Sequence, residues 1–143
     1  KNPNHMVLLG ESIIGEKVCI KDKRVKIVRS YPNARYFKAN DFAVSAVGYN
    51  TFHELLYFRV PSLFVPNLNT VHDDQVKRAQ LAEGKGAALC LEEVEGKSLE
   101  CAIEYMHSRK EKMKRNLQKI HQKNGAEQAA KYILEEVFKS SVK

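Results

Sequence analysis

A chain of 143 residues, 43% of them hydrophobic, is about one domain long and can bury a core without metals or disulfides. No apolar run approaches the roughly 20 residues that span a bilayer, and Lys1 to His5 carry no apolar stretch of the secretory kind, so membrane-spanning and secreted classes are not the expectation. The net charge of +7 divides into +6 over residues 1–40, −4 over 41–96 and +5 over 97–143, so basic flanks enclose an acidic middle.

In chain order, Met6 to Leu9 is a short apolar run closed by Gly10, and Val25 to Val28 is another, followed by the turn residues Tyr31-Pro32-Asn33; both read as strands. Ala34 to Asn40 has room for two helical turns. Asp41 then opens Phe42 to Val47, an uninterrupted apolar run suited to a strand covered on both faces. Gly48 ends it, and Tyr49-Asn50-Thr51 offer capping chemistry for a helix from Phe52 to Arg59. Pro61 to Val65 repeats the buried-strand pattern up to Pro66. Asp73-Asp74 open a second capped helix through Glu83, stopped by Gly84 and Gly86, and Ala87 to Leu91 reads as one more strand.

From Ser98 the pattern changes to long amphipathic helices, with Leu99, Ile103, Met106, Met113, Leu117 and Ile120 at helical spacing among lysines and arginines. Asn124-Gly125 breaks the run. A last helix, Ala126 to Phe138, is expected to turn Ala130, Ile133, Leu134 and Val137 inward. Strands alternating with helices imply an α/β fold, a Rossmann-like parallel sheet flanked by helices with right-handed crossovers. Cys19, Cys90 and Cys101 form neither an even set nor a C-x-x-C pair, and are expected to be buried packing thiols in a reducing compartment.

Several chemical signatures begin and fail. His53-Glu54-Leu-Leu-Tyr57 lacks the second histidine that a zinc site needs one helical turn on. Gly96-Lys97-Ser98 resembles the end of a phosphate-binding loop, but Leu91 stands where that loop requires glycine. His107 and His121 lie among charges and read as solvent-exposed. No D-x-D pair is present, and no metal ligand set is assigned.

What remains is Ser45 to Glu54, Val60 to Pro66, Asp73 to Ala79 and Gly86 to Ala88. In open α/β sheets ligands bind beyond the carboxyl ends of strands, where Gly48 to Thr51 and Pro66 to Gln75 should fall as two loops lining one cleft. A helix opening near Asn50 presents unpaired N–H groups and partial positive charge to a phosphate or diphosphate. Glu54, one turn in, is a bidentate acceptor suited to vicinal ribose hydroxyls, and Asp74 and Gln75 could take sugar hydroxyls. Each also has a plainer structural explanation: a turn glycine, a charge favourable to the helix dipole, an N-cap.

The order and spacing of these residues resemble the C-terminal, donor-binding half of GT-B glycosyltransferases of the family 28 kind, the group that includes the peptidoglycan N-acetylglucosaminyltransferase and the galactolipid synthases. The match is strong over Tyr31 to Ala88. That family carries G-x-x-T-x-x-E after a buried strand, and Gly48, Thr51 and Glu54 stand at those places. The resemblance implies donor diphosphate on Gly48, Tyr49, Asn50 and Thr51, ribose on Glu54, the transferred sugar on Asp74 and Gln75, and the nucleobase against Ser30 and Tyr31. Arg78-Ala79 match the basic residue and alanine that follow.

The implied activity is that of an inverting, metal-independent glycosyltransferase with a nucleotide sugar, UDP-sugar first, as donor substrate and no cofactor. The alternatives are a nucleotide-sugar epimerase or hydrolase of the same shape, and the donor-binding subunit of a split glycosyltransferase. The acceptor-binding half and the first glycine-rich loop of the family are missing from the pattern. The chain is therefore expected to be a piece of a longer two-domain protein, with its acceptor-binding N-terminal domain or subunit as partner. No catalytic base is assigned; His53 and His72 are the first suspects should the fragment alone turn over. The implied setting is cytoplasmic, at the inner face of the membrane, and the basic flanks suit peripheral contact there, although a solvated charged surface is the simpler account of them. Nucleic acid is not expected as a partner, because the motifs lie in the acidic middle.

Overall fold

The computed structural model describes residues 5–11, 14, 16–70, 73–120 and 125–141; of residues 140 and 141 only the backbone is described. The strands are β1 (Val7–Gly10), β2 (Val25–Val28), β3 (Ala43–Ser45), β4 (Ser62–Phe64) and β5 (Ala88–Cys90), and the helices are α1 (Tyr49–Tyr57), α2 (Gln75–Gly84), α3 (Gly96–Lys119) and α4 (Ala126–Ser141), with a 3₁₀ helix over Asn33–Ala39. The α/β class and the parallel pairing agree with the sequence. The strands form two sheets, β1-β2 and β3-β4-β5, rather than the single sheet expected.

The three-stranded sheet carries the core. Its centre, β4, pairs with β3 through Leu63↔Val44 and with β5 through Leu63↔Leu89. Successive side chains of a strand point to opposite faces, and β4 shows it. Phe64 joins Phe52, Leu55, Leu56, Ala79 and Ala82 of α1 and α2, whereas Leu63 joins Ala102, Met106 and Met113 of α3. Both faces are thus covered, which is why Pro61 to Phe64 is buried throughout. Lys110 of α3 also reaches Asp41, just before β3, at 2.8 Å and holds its carboxyl below the usual carboxylate range.

Several helix ends depart from expectation. α1 starts at Tyr49 with Gly48 as its N-cap and no side-chain cap, so Asn50 and Thr51 lie inside the helix. α2 is capped by Asp74, which accepts from the Lys77 N–H at 3.0 Å. Past it, Gly86 holds φ +62, which favours glycine, and a Cβ there would have to displace the Asn116 carboxamide, 2.6 Å away, that donates to the Gly86 carbonyl. The Gly96-Lys97-Ser98 run opens α3. There the Glu95 N–H donates to Ser98 Oγ at 2.9 Å in a capping box, a helix start instead of a phosphate loop. The break expected at Asn124 lies outside the described residues, as do His72 and His121; α3 ends at Lys119.

Two expectations about burial are corrected. In α4, Ala130 is exposed, and Ile133, Leu134 and Val137 are 60%, 56% and 53% exposed. The amphipathic pattern is present, but the face it defines is more than half exposed. Cys19 and Cys101 are exposed as well. Only Cys90 is partly buried, and burial with Glu83 and Glu92 nearby pushes its thiol up to about 11, leaving it protonated and unreactive near neutrality. No helix among the described residues is long and apolar enough to cross a membrane.

Candidate functional site

Parallel strands joined by helices place the β3–α1 and β4–α2 connections at the same edge of the sheet. The first connection is short. From Ser45, whose carbonyl accepts from the Val65 N–H at 2.9 Å, the chain runs through buried Val47 to Gly48 and into α1. Gly48 has φ −58 and ψ 143, values open to any residue, and a Cβ built on it meets nothing within 4 Å. The fold does not demand glycine there; the open space lies over the first turn of α1.

The second connection is longer and folds on itself. Asn69 N–H donates to Asn67 Oδ1 at 3.0 Å, and the Thr70 hydroxyl donates to the Asp73 carbonyl at 2.7 Å. A closed ring of polar contacts then ties the two connections together. Gln75 Oε1 accepts from Val47 N–H at 3.3 Å and from Asn67 N–H at 3.0 Å, while its Nε2 donates to Asp73 Oδ2 at 3.2 Å. The other oxygen of Asp73 accepts from Arg78 Nη2, and Arg78 Nη1 donates to the Val47 carbonyl at 2.5 Å, so the ring ends where it began. The guanidinium also stands 5.5 Å from the centroid of the Tyr49 ring. Arg78 holds the Asp73 carboxyl below the usual carboxylate range, with Gln75 adding to the effect.

The predicted site residues distribute unevenly over this geometry. Gly48, Tyr49, Asn50 and Thr51 form the open first turn of α1, with no side chain capping it. Glu54 lies one turn further, half-buried. Gln75 is buried, 8% exposed, with its carboxamide holding both loops. Asp74 is exposed, but its carboxylate is engaged with the Lys77 N–H and, at 3.2 Å, the Lys77 ammonium, which together hold it below the usual range. Ser30 and Tyr31 stand after β2, on the other sheet. Ser30 Oγ lies 3.3 Å from the Tyr36 hydroxyl, and Tyr31 is 71% exposed. No hydrogen bond or ring contact among the described residues joins them to the Gly48 turn. His53 packs edge-on against Tyr49 and Phe52, with ring centroids at 4.4 and 5.2 Å.

Arg78 and Asp73 are the residues whose part in the ring the sequence did not disclose. One signal was available: of two adjacent aspartates at a helix start, only one can cap, which frees the other for a basic residue a turn inside. Among the described residues no group of three or more metal-ligating side chains converges.

Comparison with known proteins supplies context. The sequence model of the family described as glycosyltransferase family 28 C-terminal domain matches residues 12–134. A protein of Rickettsia akari described as UDP-N-acetylglucosamine--N-acetylmuramyl-(pentapeptide) pyrophosphoryl-undecaprenol N-acetylglucosamine transferase is 31% identical over 101 residues, covering 65% of this chain and 26% of its own length. The protein of the same description from Aquifex aeolicus is 41% identical over 61 residues, covering 43% of this chain and 18% of its own length. The chain thus spans about a quarter of the length of the Rickettsia relative.

Proposed function

Since this chain belongs to the family of glycosyltransferase family 28 C-terminal domains, we propose that it binds the nucleotide-sugar donor, UDP-sugar first, of an inverting glycosyltransferase whose acceptor-binding part is a separate domain or subunit. The observation that carries the proposal is the open first turn of α1. Its N–H groups have no side-chain cap, and the Gln75–Asp73–Arg78 ring fixes it against the neighbouring loop. Such a turn suits a diphosphate. Glycosyl transfer builds negative charge on the departing diphosphate, and preorganised N–H donors stabilise that charge as it forms without a metal being required. Within this reading Glu54 takes the ribose hydroxyls, and Ser30 and Tyr31 take the nucleobase.

The sugar is assigned to Asp74 and the Asp73–Gln75 edge of the second loop. Asp74 meets it by giving up its contact with the Lys77 ammonium, and Gln75 contributes chiefly by holding the loop. The relatives named above transfer N-acetylglucosamine by their description, which makes UDP-N-acetylglucosamine the first donor to try. Peripheral contact with a membrane belongs to the same proposal, through the basic flanks. The test is calorimetric titration of the chain with UDP, GDP, CMP and TDP sugars, with transfer and simple UDP release assayed in parallel once an acceptor-binding part is supplied. Preference for UDP-sugars with transfer supports the reading. UDP release without transfer favours a hydrolase or epimerase, and no affinity for any of them removes the donor assignment.

A further inference from the structure

At the opposite end of α1 from Gly48, about 13 Å away for a nine-residue helix, lies a cavity of about 670 Å³. Lys38, Arg59 and Lys114 bring three cations to it, Phe37, Tyr57 and Phe58 line it with aromatic rings, and none of the ten described residues around it is acidic. Its size suits a small ligand. The rings are already ordered: Phe37 and Phe58 meet edge to face at 6.1 Å, Tyr57 and Phe58 at 5.2 Å, and the Lys38 ammonium stands 5.7 Å from the Phe58 centroid. Lys114 is held by Glu111 at 3.3 Å, with both side chains substantially exposed, so an incoming anion can draw it away.

The backbone at Arg59 gives an independent reason to look here. α1 ends with Phe58 as its C-cap, and Arg59 follows at φ 60. The Arg59 N–H donates to the Leu56 carbonyl at 3.0 Å and the Val60 N–H to the Leu55 carbonyl at 2.9 Å. That pair of bonds is the Schellman closure, whose left-handed position favours glycine. Arg59 is the one non-glycine residue with positive φ among the described residues. Packing does not account for it, since Arg59 is exposed. A cation stands here, against the local backbone preference, lining an aromatic, cation-rich cavity.

We propose that this cavity is a second ligand site, for a phosphate-bearing molecule with a planar or apolar body. The phosphate would lie between Lys38, Arg59 and Lys114, and the body would rest on Phe37, Tyr57 and Phe58. Guanidinium and ammonium groups supply charge-assisted bonds to phosphate oxygens, with Lys114 exchanging Glu111 for the phosphate, while the rings take the body among lining residues of which none is acidic. The site stands apart from the Gly48 turn and does not depend on the donor assignment.

The experiment is a titration of the ¹⁵N-labelled chain with phenyl phosphate, with inorganic phosphate, and with phosphatidylcholine vesicles carrying phosphatidylglycerol, on the wild type, Arg59→Gly and Lys38→Ala. Phenyl phosphate should shift the amides of Lys38, Phe58, Arg59 and Val60 and bind more tightly than inorganic phosphate. Arg59→Gly should weaken that binding roughly ten-fold while raising the melting temperature, because glycine relieves the left-handed backbone. Lys38→Ala should weaken it without that rise. Vesicle binding that is lost in Arg59→Gly, with no response to phenyl phosphate, identifies the source of the phosphate as a lipid headgroup. Both variants binding as the wild type does, or shifts confined to Gly48 to Thr51, overturn the proposal.

Discussion

Gln75→Ala separates a residue that touches sugar from one that builds the site. In the wild type its buried carboxamide oxygen accepts from the N–H groups of Val47 and Asn67, and its nitrogen donates to Asp73. Truncation leaves two N–H groups at the base of both loops without that acceptor. Each unsatisfied buried donor costs about 1–3 kcal/mol, and water entering beside the exposed end of the loop brings the sum toward about 2–4 kcal/mol. For a domain of this length that corresponds to roughly 6–14 °C in melting temperature. Because both loops loosen together, affinity for UDP and for UDP-sugar should fall by similar factors. Gln75→Glu keeps the two accepted bonds but faces the Asp73 carboxylate, and should be destabilised less than the alanine variant. Thermal melts by circular dichroism with calorimetry on both ligands provide the readout. A selective loss of UDP-sugar affinity at unchanged melting temperature would refute the structural role given to Gln75.

Further outcomes follow from other parts of the molecule. Gly48→Ala should leave stability unchanged or raise it by about 0.4–1 kcal/mol, since its backbone suits alanine, yet weaken UDP binding by crowding the open turn; melts and titrations of the same variant check both halves. Glu54→Ala should reduce UDP affinity about ten-fold or more with little change in melting temperature, as for a lost charged hydrogen bond of about 1.5–3 kcal/mol. Leu117→Ala, at a fully buried position of the core, should cost about 2–5 kcal/mol, whereas Leu134→Ala on the exposed face of α4 should stay within about 0.5 kcal/mol in urea unfolding. Asp73 and Asp74 are held below their ordinary range by Arg78 and Lys77. A depressed carboxyl contributes stability that is complete above its unfolded value near 3.8 and is lost as pH falls below it. Asp73→Asn should flatten that acid limb in pH-dependent melts.

The stretch from Phe42 to Leu91 was legible because its elements are short, apolar and bounded by glycine, proline or aspartate. Buried parallel strands leave such runs, and Leu63 and Phe64 fill opposite faces of the sheet as those runs require. The cap of α1 was misread because Asn50 and Thr51 have the right chemistry, but the helix starts immediately beyond Val47, whose carbonyl is already fixed by Arg78. The inward face predicted for α4 failed for a different reason. Periodicity shows that an apolar stripe exists and says nothing of what covers it. The two-sheet arrangement was illegible for a similar reason, since whether β2 pairs with β3 leaves no mark on either strand alone, and here the two stand in separate sheets. In the site, Gly48 and the α1 start were readable from the glycine turn after a buried run. The ring through Asp73, Gln75 and Arg78 was not, because it depends on two loops meeting across the sheet edge.

In the proposed function the first turn of α1 receives the donor diphosphate. Amide chemical shifts of the ¹⁵N-labelled chain during titration with UDP test it most directly. Saturable shifts are expected at Gly48, Tyr49, Asn50 and Thr51, with Tyr31 responding at the nucleobase. Shifts confined to the basic stretch Arg109 to Lys119, with the Gly48 turn unmoved, would contradict it.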